Sequence, residues 1–134
     1  GTCLVGSEMC IRDRDIRALE ETVVSFRSSV MVPTGLKVAI PEGYEGQIRA
    51  RSSLGKKGLI LPHSIGTIDS DYRGDLFVLM TWIGEGDSYV IEKGERIAQM
   101  VIAPIPKTQF KEVGLEHLGQ TKRGEGGFGS TGRF

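Results

Sequence analysis

The strongest constraint on this chain is its punctuation. Turn-forming clusters recur at intervals of roughly eight to twelve residues. They include Pro33-Thr34-Gly35, Pro41-Glu42-Gly43, Gly84-Glu85-Gly86-Asp87 and Glu92-Lys93-Gly94-Glu95. Only short elements fit between them. Val30 and Val32, then Leu36, Val38 and Ile40, alternate with other residues at the period of half-buried strands. Tyr44 to Arg49 reads as the next strand. Leu76 to Trp82 is an apolar block best read as a strand buried on both faces, and Ser88 to Ile91 is a further short strand between turns. Ile97, Met100 and Val101 have helical spacing, but the brevity of Arg96 to Ala103 and the stop at Pro104 favour a strand. Alternation then puts Gln99 on the face of Ile97 and Val101, where an amide needs partners or costs a few kcal/mol. Many short strands with frequent turns indicate an all-β sandwich or barrel, with at most one short helix after Ser52.

The 134 residues are enough for one domain with a real core. Seventeen basic residues balance seventeen acidic ones, so the basic excess of a nucleic-acid coat or a membrane-surface protein is missing. No nucleic-acid or membrane partner is expected. The longest apolar run is far below the ~20 residues of a membrane span, and no secretion signal is expected at the start. Cys3 and Cys10 read as free thiols in a reducing compartment, which makes the expected location cytoplasmic. Residues 1–14 show neither clean strand alternation nor a capped helix. They are expected to be an atypical, non-native extension ahead of a β domain at 15–118. From residue 119 the text changes again. The last sixteen residues contain six glycines and two aromatic rings, too little apolar surface to offset the entropy of ordering them. Residues 119–134 are expected to be a mobile arm.

Four segments carry candidate chemistry. The arm contains a G-x-G-x-x-G from Gly124 to Gly129, but the chain ends before the helix and acidic residue that a dinucleotide fingerprint needs. A disordered terminus is one reading. The other is a nucleotide strap: Arg123 for a phosphate, Phe128 for a flat ring, Gly129 backbone, and the hydroxyls of Ser130 and Thr131. Gly66-Thr67-Ile68-Asp69-Ser70-Asp71-Tyr72-Arg73-Gly74 is either a solvated turn or a carboxylate placed to deprotonate a water, with an aromatic face for a sugar. Arg51-Ser52-Ser53-Leu54-Gly55-Lys56-Lys57-Gly58 suits phosphate oxygens at a helix start, or is a basic loop with a Ser cap. Gln99 is either structural or ligand-binding. His63 and His117 share no metal-ligand spacing with each other or with the cysteines.

Asp15-Ile16-Arg17-Ala18 carries little specificity by itself, but in order it and these four segments resemble the five motifs of the homotrimeric dUTPase family: D-I-R-A at Asp15, R-S-S-L-G-K-K-G at Arg51, G-T-I-D-S-D-Y-R-G at Gly66, R-I-A-Q-M at Arg96, and R-G-E-G-G-F-G-S-T-G at Arg123. The resemblance runs from about residue 15 to the end. It implies a jelly-roll, β-clip type protomer and a homotrimer whose three active sites are shared between subunits. It further implies dUTP diphosphatase activity, giving dUMP and pyrophosphate by water attack at the α-phosphorus. That reaction limits uracil in DNA and supplies dUMP for dTMP synthesis. By the same resemblance Asp69 activates the water, and Tyr72 packs under the deoxyribose. Arg51, Ser52, Ser53 and Gln99 hold phosphates. Thr67, Ile68 and Phe77 line the nucleoside site, and His63 reads the uracil edge where many relatives carry Asn. Phe128 stacks on the base, and Arg123, Gly129, Ser130 and Thr131 meet the γ-phosphate end. Mg2+ is implied as cofactor, bound mainly through the triphosphate and met by Asp15 only through water.

Two rivals stand beside this reading. The fold is shared with dCTP deaminases, which also use an R-S-S motif. They usually read I-D-P-G where this chain reads I-D-S-D-Y, and they place a catalytic Glu on the following strand. Leu76 to Trp82 holds no carboxylate. A catalytically dead binding protein is the other rival, against which stand the intact Asp69, Tyr72 and arm.

Overall fold

The computed structural model describes residues 2–5 and 15–134. Its strands are the short segments that the turn clusters leave: β1 (Thr2–Val5), β2 (Asp15–Arg17), β3 (Thr22–Ser25), β4 (Ser29–Pro33), β5 (Leu36–Ala39) and β6 (Tyr44–Ala50), then β7 (Leu59–Ile60), β8 (Ile65–Ile68), β9 (Phe77–Trp82), β10 (Ser88–Ile91) and β11 (Arg96–Pro104). The one α-helix among the described residues is α1 (Ser52–Lys57), and a 3-10 turn forms at Leu115–His117. None of these helices is long and apolar enough to cross a membrane.

The strands assemble as a jelly roll of small, mostly antiparallel sheets. β2-β11-β6-β8 form a four-stranded sheet, β4-β9-β7 a three-stranded one, and β10-β3 and β1-β5 two ribbons. Their inner faces meet in one core. Val24, Val32, Leu59, Met80, Ile91 and Ile97 are wholly buried there, and each such side chain contributes about 1.5–3 kcal/mol when removed from water. The helix stops at Gly58, whose φ of 108° lets its N–H reach back to the carbonyls of Leu54 and Gly55. A Cβ at Gly58 would stand 2.5 Å from the Cα of Gly84, so the helix end and the turn before β10 touch backbone to backbone.

Three expectations need correction. Gln99 is exposed, not inward. β11 carries a bulge between Arg96 and Ala98, which buries Ile97 and Ala98 in succession. From there Met100 alternates inward and Gln99 outward, since a one-residue offset reverses every later side chain. The block at Leu76 to Trp82 is buried on both faces only at its end. Thr81 and Trp82 are both inside, but Phe77 is 40% exposed and Leu79 half-buried. Finally, Thr2–Val5 forms a strand where none was expected, parallel to β5 from Thr2 opposite Leu36 to Val5 opposite Ala39. A ladder is built from backbone groups, which an irregular side-chain pattern leaves available. Residues 1 and 6–14 lie outside the described residues, and with Cys10 among them so does the free-thiol pairing question.

Candidate active site

The site begins at the hairpin of β6 and β8, where Ile48 lies opposite Gly66 and Gln47 opposite Thr67. Just before β8 the chain turns sharply. Ser64 adopts φ 68°, and the Ile65 N–H donates to the His63 carbonyl at 2.8 Å. This folds the imidazole over Gly66, where any Cβ would lie 3.0 Å from His63 Nε2 and 3.2 Å from the Ile48 Cβ. Gly66 therefore leaves room for His63.

β8 ends at Ile68, and the next turn carries Asp69 and Tyr72. The Tyr72 N–H closes onto the Asp69 carbonyl at 3.1 Å, and the Tyr72 hydroxyl donates to the Asp75 carbonyl at 2.7 Å. The ring lies across Gly74, where a Cβ would be 2.5 Å from the hydroxyl oxygen. The far end of the turn is anchored in the body. The buried Thr34 hydroxyl donates to the Leu76 carbonyl at 2.7 Å and accepts the Leu36 N–H at 3.2 Å. In turn, the Leu76 N–H donates to the Leu36 carbonyl at 2.9 Å.

These elements enclose a cleft of about 290 Å3. Six residues singled out from the sequence line it together: His63, Thr67, Ile68, Asp69, Tyr72 and Phe77. Its apolar wall also includes Met31 and Leu79, which lie directly opposite each other on β4 and β9. Those two, with Ile48, Asp75 and Leu76, escaped sequence reading as site residues. The alternation of Val30 and Val32 marks Met31 as outward-facing, but nothing in the apolar block of β9 marks Leu79, and nothing in either strand shows that they pair beside the Asp69 turn. The cleft is acidic: Asp69 and Asp75 line it, and among the described residues no Lys or Arg does. Lys37 approaches Asp75 at 3.7 Å from outside, an exposed pair of little energetic weight. The Asp69 carboxylate makes no side-chain hydrogen bond or ion pair among the described residues.

The remaining sequence-selected residues form two other groups. Asp15, Gln99 and Arg49 are lateral neighbours across β2, β11 and β6. Arg96 joins them, its guanidinium 3.4 Å from Asp15 and its carbonyl accepting from Arg51 at 3.0 Å. Arg51 itself occupies the N-cap position of α1 without a side-chain capping bond, so the expected Ser cap is replaced by Ser52 as the first helical residue. Arg51, Ser52, Ser53, Gln99 and Asp15 do not line the cleft. Nor does the arm. Phe128 is fully exposed, and the arm's hydrogen bonds are internal, among them Arg123 Nε to the Gly126 carbonyl at 2.6 Å and Ser130 N–H to the Gly127 carbonyl at 3.0 Å. The last backbone bond from the C-terminal part to the body is Ile105 N–H to the Gly43 carbonyl.

One titration stands out elsewhere. Tyr89 donates to Glu95 at 2.7 Å, and its phenol is pushed up to about 12, first by burial and then by the Glu95 carboxylate and Glu92.

The chain as a whole has counterparts among known proteins. The dUTPase family model matches residues 14–132. The deoxyuridine 5'-triphosphate nucleotidohydrolase of Dinoroseobacter shibae is 59% identical over 105 residues, covering 78% of this chain and 66% of that one. The enzyme of the same name from Fusobacterium nucleatum is 48% identical over 122 residues, covering 89% and 82%. Among solved structures, the dUTPase of Staphylococcus bacteriophage 80alpha with dUPNHPP superposes with a TM-score of 0.79 at 34% identity, covering 89% of this chain and 85% of that one. Sequence and fold agree, and the chain belongs to the dUTPase family, whose named members are dUTP diphosphatases.

Proposed function

We propose that the chain hydrolyses dUTP to dUMP and pyrophosphate, with the base and sugar in the cleft and Asp69 as general base. The observation that carries this is the convergence of His63, Asp69, Tyr72 and Phe77 on one cleft, from the turn before β8, the turn after it and the start of β9. Tyr72 presents its ring beside the acid, where it packs against a deoxyribose and leaves no space for a ribose hydroxyl. A carboxylate engaged by no other side chain can accept a proton from water. The water oxygen attacks the α-phosphorus, its proton passes to Asp69, and the bridging oxygen leaves with the electron pair of the departing pyrophosphate. Positioning and charge neutralisation suffice, and no covalent nucleophile is needed. The product dUMP feeds dTMP synthesis, and removal of dUTP keeps uracil out of DNA, in a cytoplasmic nucleotide pool.

The triphosphate brings about four negative charges to a cleft that lines itself with carboxylates. Its cations come from elsewhere. Arg51, Ser52, Ser53 and Gln99 form one set, and Arg123, Ser130 and Thr131 of the arm form another, with Phe128 stacking on the base and Gly129 donating backbone N–H. We infer a homotrimer in which these sets meet at one cleft from different copies. No group of three or more His, Cys, Asp or Glu side chains that could hold a metal exists among the described residues. Mg2+ would be carried mainly by the phosphate oxygens and water, with Asp15 reached through a water. When bound, the ion neutralises charge on the phosphates. Residues 15–118 then form the catalytic domain, to which Thr2–Val5 adds a strand beside β5, and residues 119–134 act as its closing arm.

Incubation with dUTP, UTP and dCTP plus magnesium, following pyrophosphate and ammonia, tests the reading. Pyrophosphate from dUTP alone is expected. Ammonia from dCTP, or no turnover at all, overturns it. Asp69→Asn should abolish turnover while binding of a non-hydrolysable dUTP analogue persists.

A further inference from the structure

The turn carrying Asp69 and Tyr72 is tied chiefly to itself. Two of its ties come from Tyr72, through its backbone N–H and its hydroxyl. The third comes from Arg73, whose Nη1 lies 2.7 Å from the Ser70 carbonyl and 2.9 Å from the Tyr72 carbonyl. A single guanidinium nitrogen thus bridges two carbonyls on either side of the crest. Arg73 does not line the cleft, and its side chain points at backbone, not at the space a nucleotide would fill.

We propose that Arg73 is a positioning residue, a staple that holds the turn in the one conformation where the Asp69 carboxylate and the Tyr72 ring face the same cleft. The inference rests on the reading of that cleft as the dUTP site. Both bridged carbonyls belong to residues that are not buried, so water replaces the guanidinium at little cost to the fold. What disappears is the restriction on the turn. A displacement of about 1 Å at a reacting group is enough to lower a rate by up to ~100-fold, so the loss falls on chemistry, not on stability. Arg73 also differs from a phosphate-binding arginine in a measurable way. A phosphate ligand contributes mainly to KM and weakens with salt. A staple acts on kcat and on the geometry of Tyr72.

Arg73→Met keeps the aliphatic stem and removes the donors. It is expected to lower kcat for dUTP at least about tenfold and to narrow the dUTP over UTP preference, with the melting temperature within about 3 °C of the parent. Amide hydrogen exchange at Tyr72, read without nucleotide, should accelerate. Arg73→Lys, which retains one donor-bearing tip able to reach a carbonyl, should recover part of kcat. A raised KM with unchanged kcat, fully restored by Lys and steepening with ionic strength, would make Arg73 a substrate-binding cation and overturn the proposal. Unchanged exchange at Tyr72 would overturn it as well. If the unmodified protein failed to turn over dUTP, the functional reading would fall, while the exchange measurement would still decide whether Arg73 staples the turn.

Discussion

Gly74→Ala perturbs the site through a single methyl group. The added Cβ would lie 2.5 Å from the Tyr72 hydroxyl oxygen, 2.7 Å from Cζ and 3.0 Å from Cε2. Ordinary contact needs about 3.4–4 Å, so the ring tip has to retreat by about 1 Å. Gly74 does not sit at positive φ, so alanine suits its backbone and the clash alone acts. A retreat of that size breaks the 2.7 Å bond from the Tyr72 hydroxyl to the Asp75 carbonyl. One exposed hydrogen bond is worth about 1 kcal/mol, which sets the loss of fold stability. The effect on selectivity is larger. A shape-based pocket rejects one added hydroxyl by roughly 100-fold, and a ring that has moved away from the sugar forfeits most of that. The assay is kcat/KM for dUTP and for UTP with the same preparation, beside a thermal melt. The expected result is a ratio reduced by about tenfold or more with a nearly unchanged melt. An unchanged ratio, with the Tyr72 to Asp75 bond gone in a crystal structure of the variant, would refute the link between ring position and sugar choice.

Deleting residues 122–134 should abolish turnover and leave the oligomer intact by light scattering; a monomeric product would make the arm a structural clasp. Thr34→Val keeps the shape of a buried residue and removes the hydroxyl that serves both Leu36 and Leu76, so chemical denaturation should show a loss of about 1–3 kcal/mol. A change below about 0.5 kcal/mol would mean that these backbone groups find other partners. The Tyr89 phenol titrates at about 12 in the folded chain against 10.0 normally. The folded state thus holds its proton more tightly, and this contribution is complete below pH 10 and is lost as pH rises through about 12. Tyr89→Phe should flatten the alkaline fall in stability over that window, and an unaltered profile would assign the fall to other groups.

Much of the fold was legible because turn residues and alternation are local signals. β4 does end and β5 begin at Pro33-Thr34-Gly35, and the short helix expected after Ser52 does form, over Ser52–Lys57. The misplaced face of Gln99 shows where locality stops. A bulge depends on how β11 meets β2, and no pattern within β11 announces it. The cleft divides the same way. Thr67, Ile68, Asp69 and Tyr72 lie close in sequence, so one motif exposed them together, and His63 stands three residues ahead of it. Met31 and Leu79 reach the cleft only through strand pairing. Arg73 and Gly74 stood inside the motif throughout, but their work is to hold Tyr72 and its turn. That work becomes visible only when distances are known.

The distribution of charge has a genetic consequence. Among the described residues, a cleft lined by Asp69 and Asp75 with no Lys or Arg, and an arm bonded only within itself, put the acid and the arm's cations in separable parts of the chain. Under the shared-site reading, two inactive forms can rescue one another. A chain carrying Asp69→Asn and a chain lacking residues 122–134 would each be silent. Co-assembled, they should regain turnover at those clefts where an intact Asp69 meets an intact arm. If each arm served only its own cleft, the mixture would stay as inactive as its components.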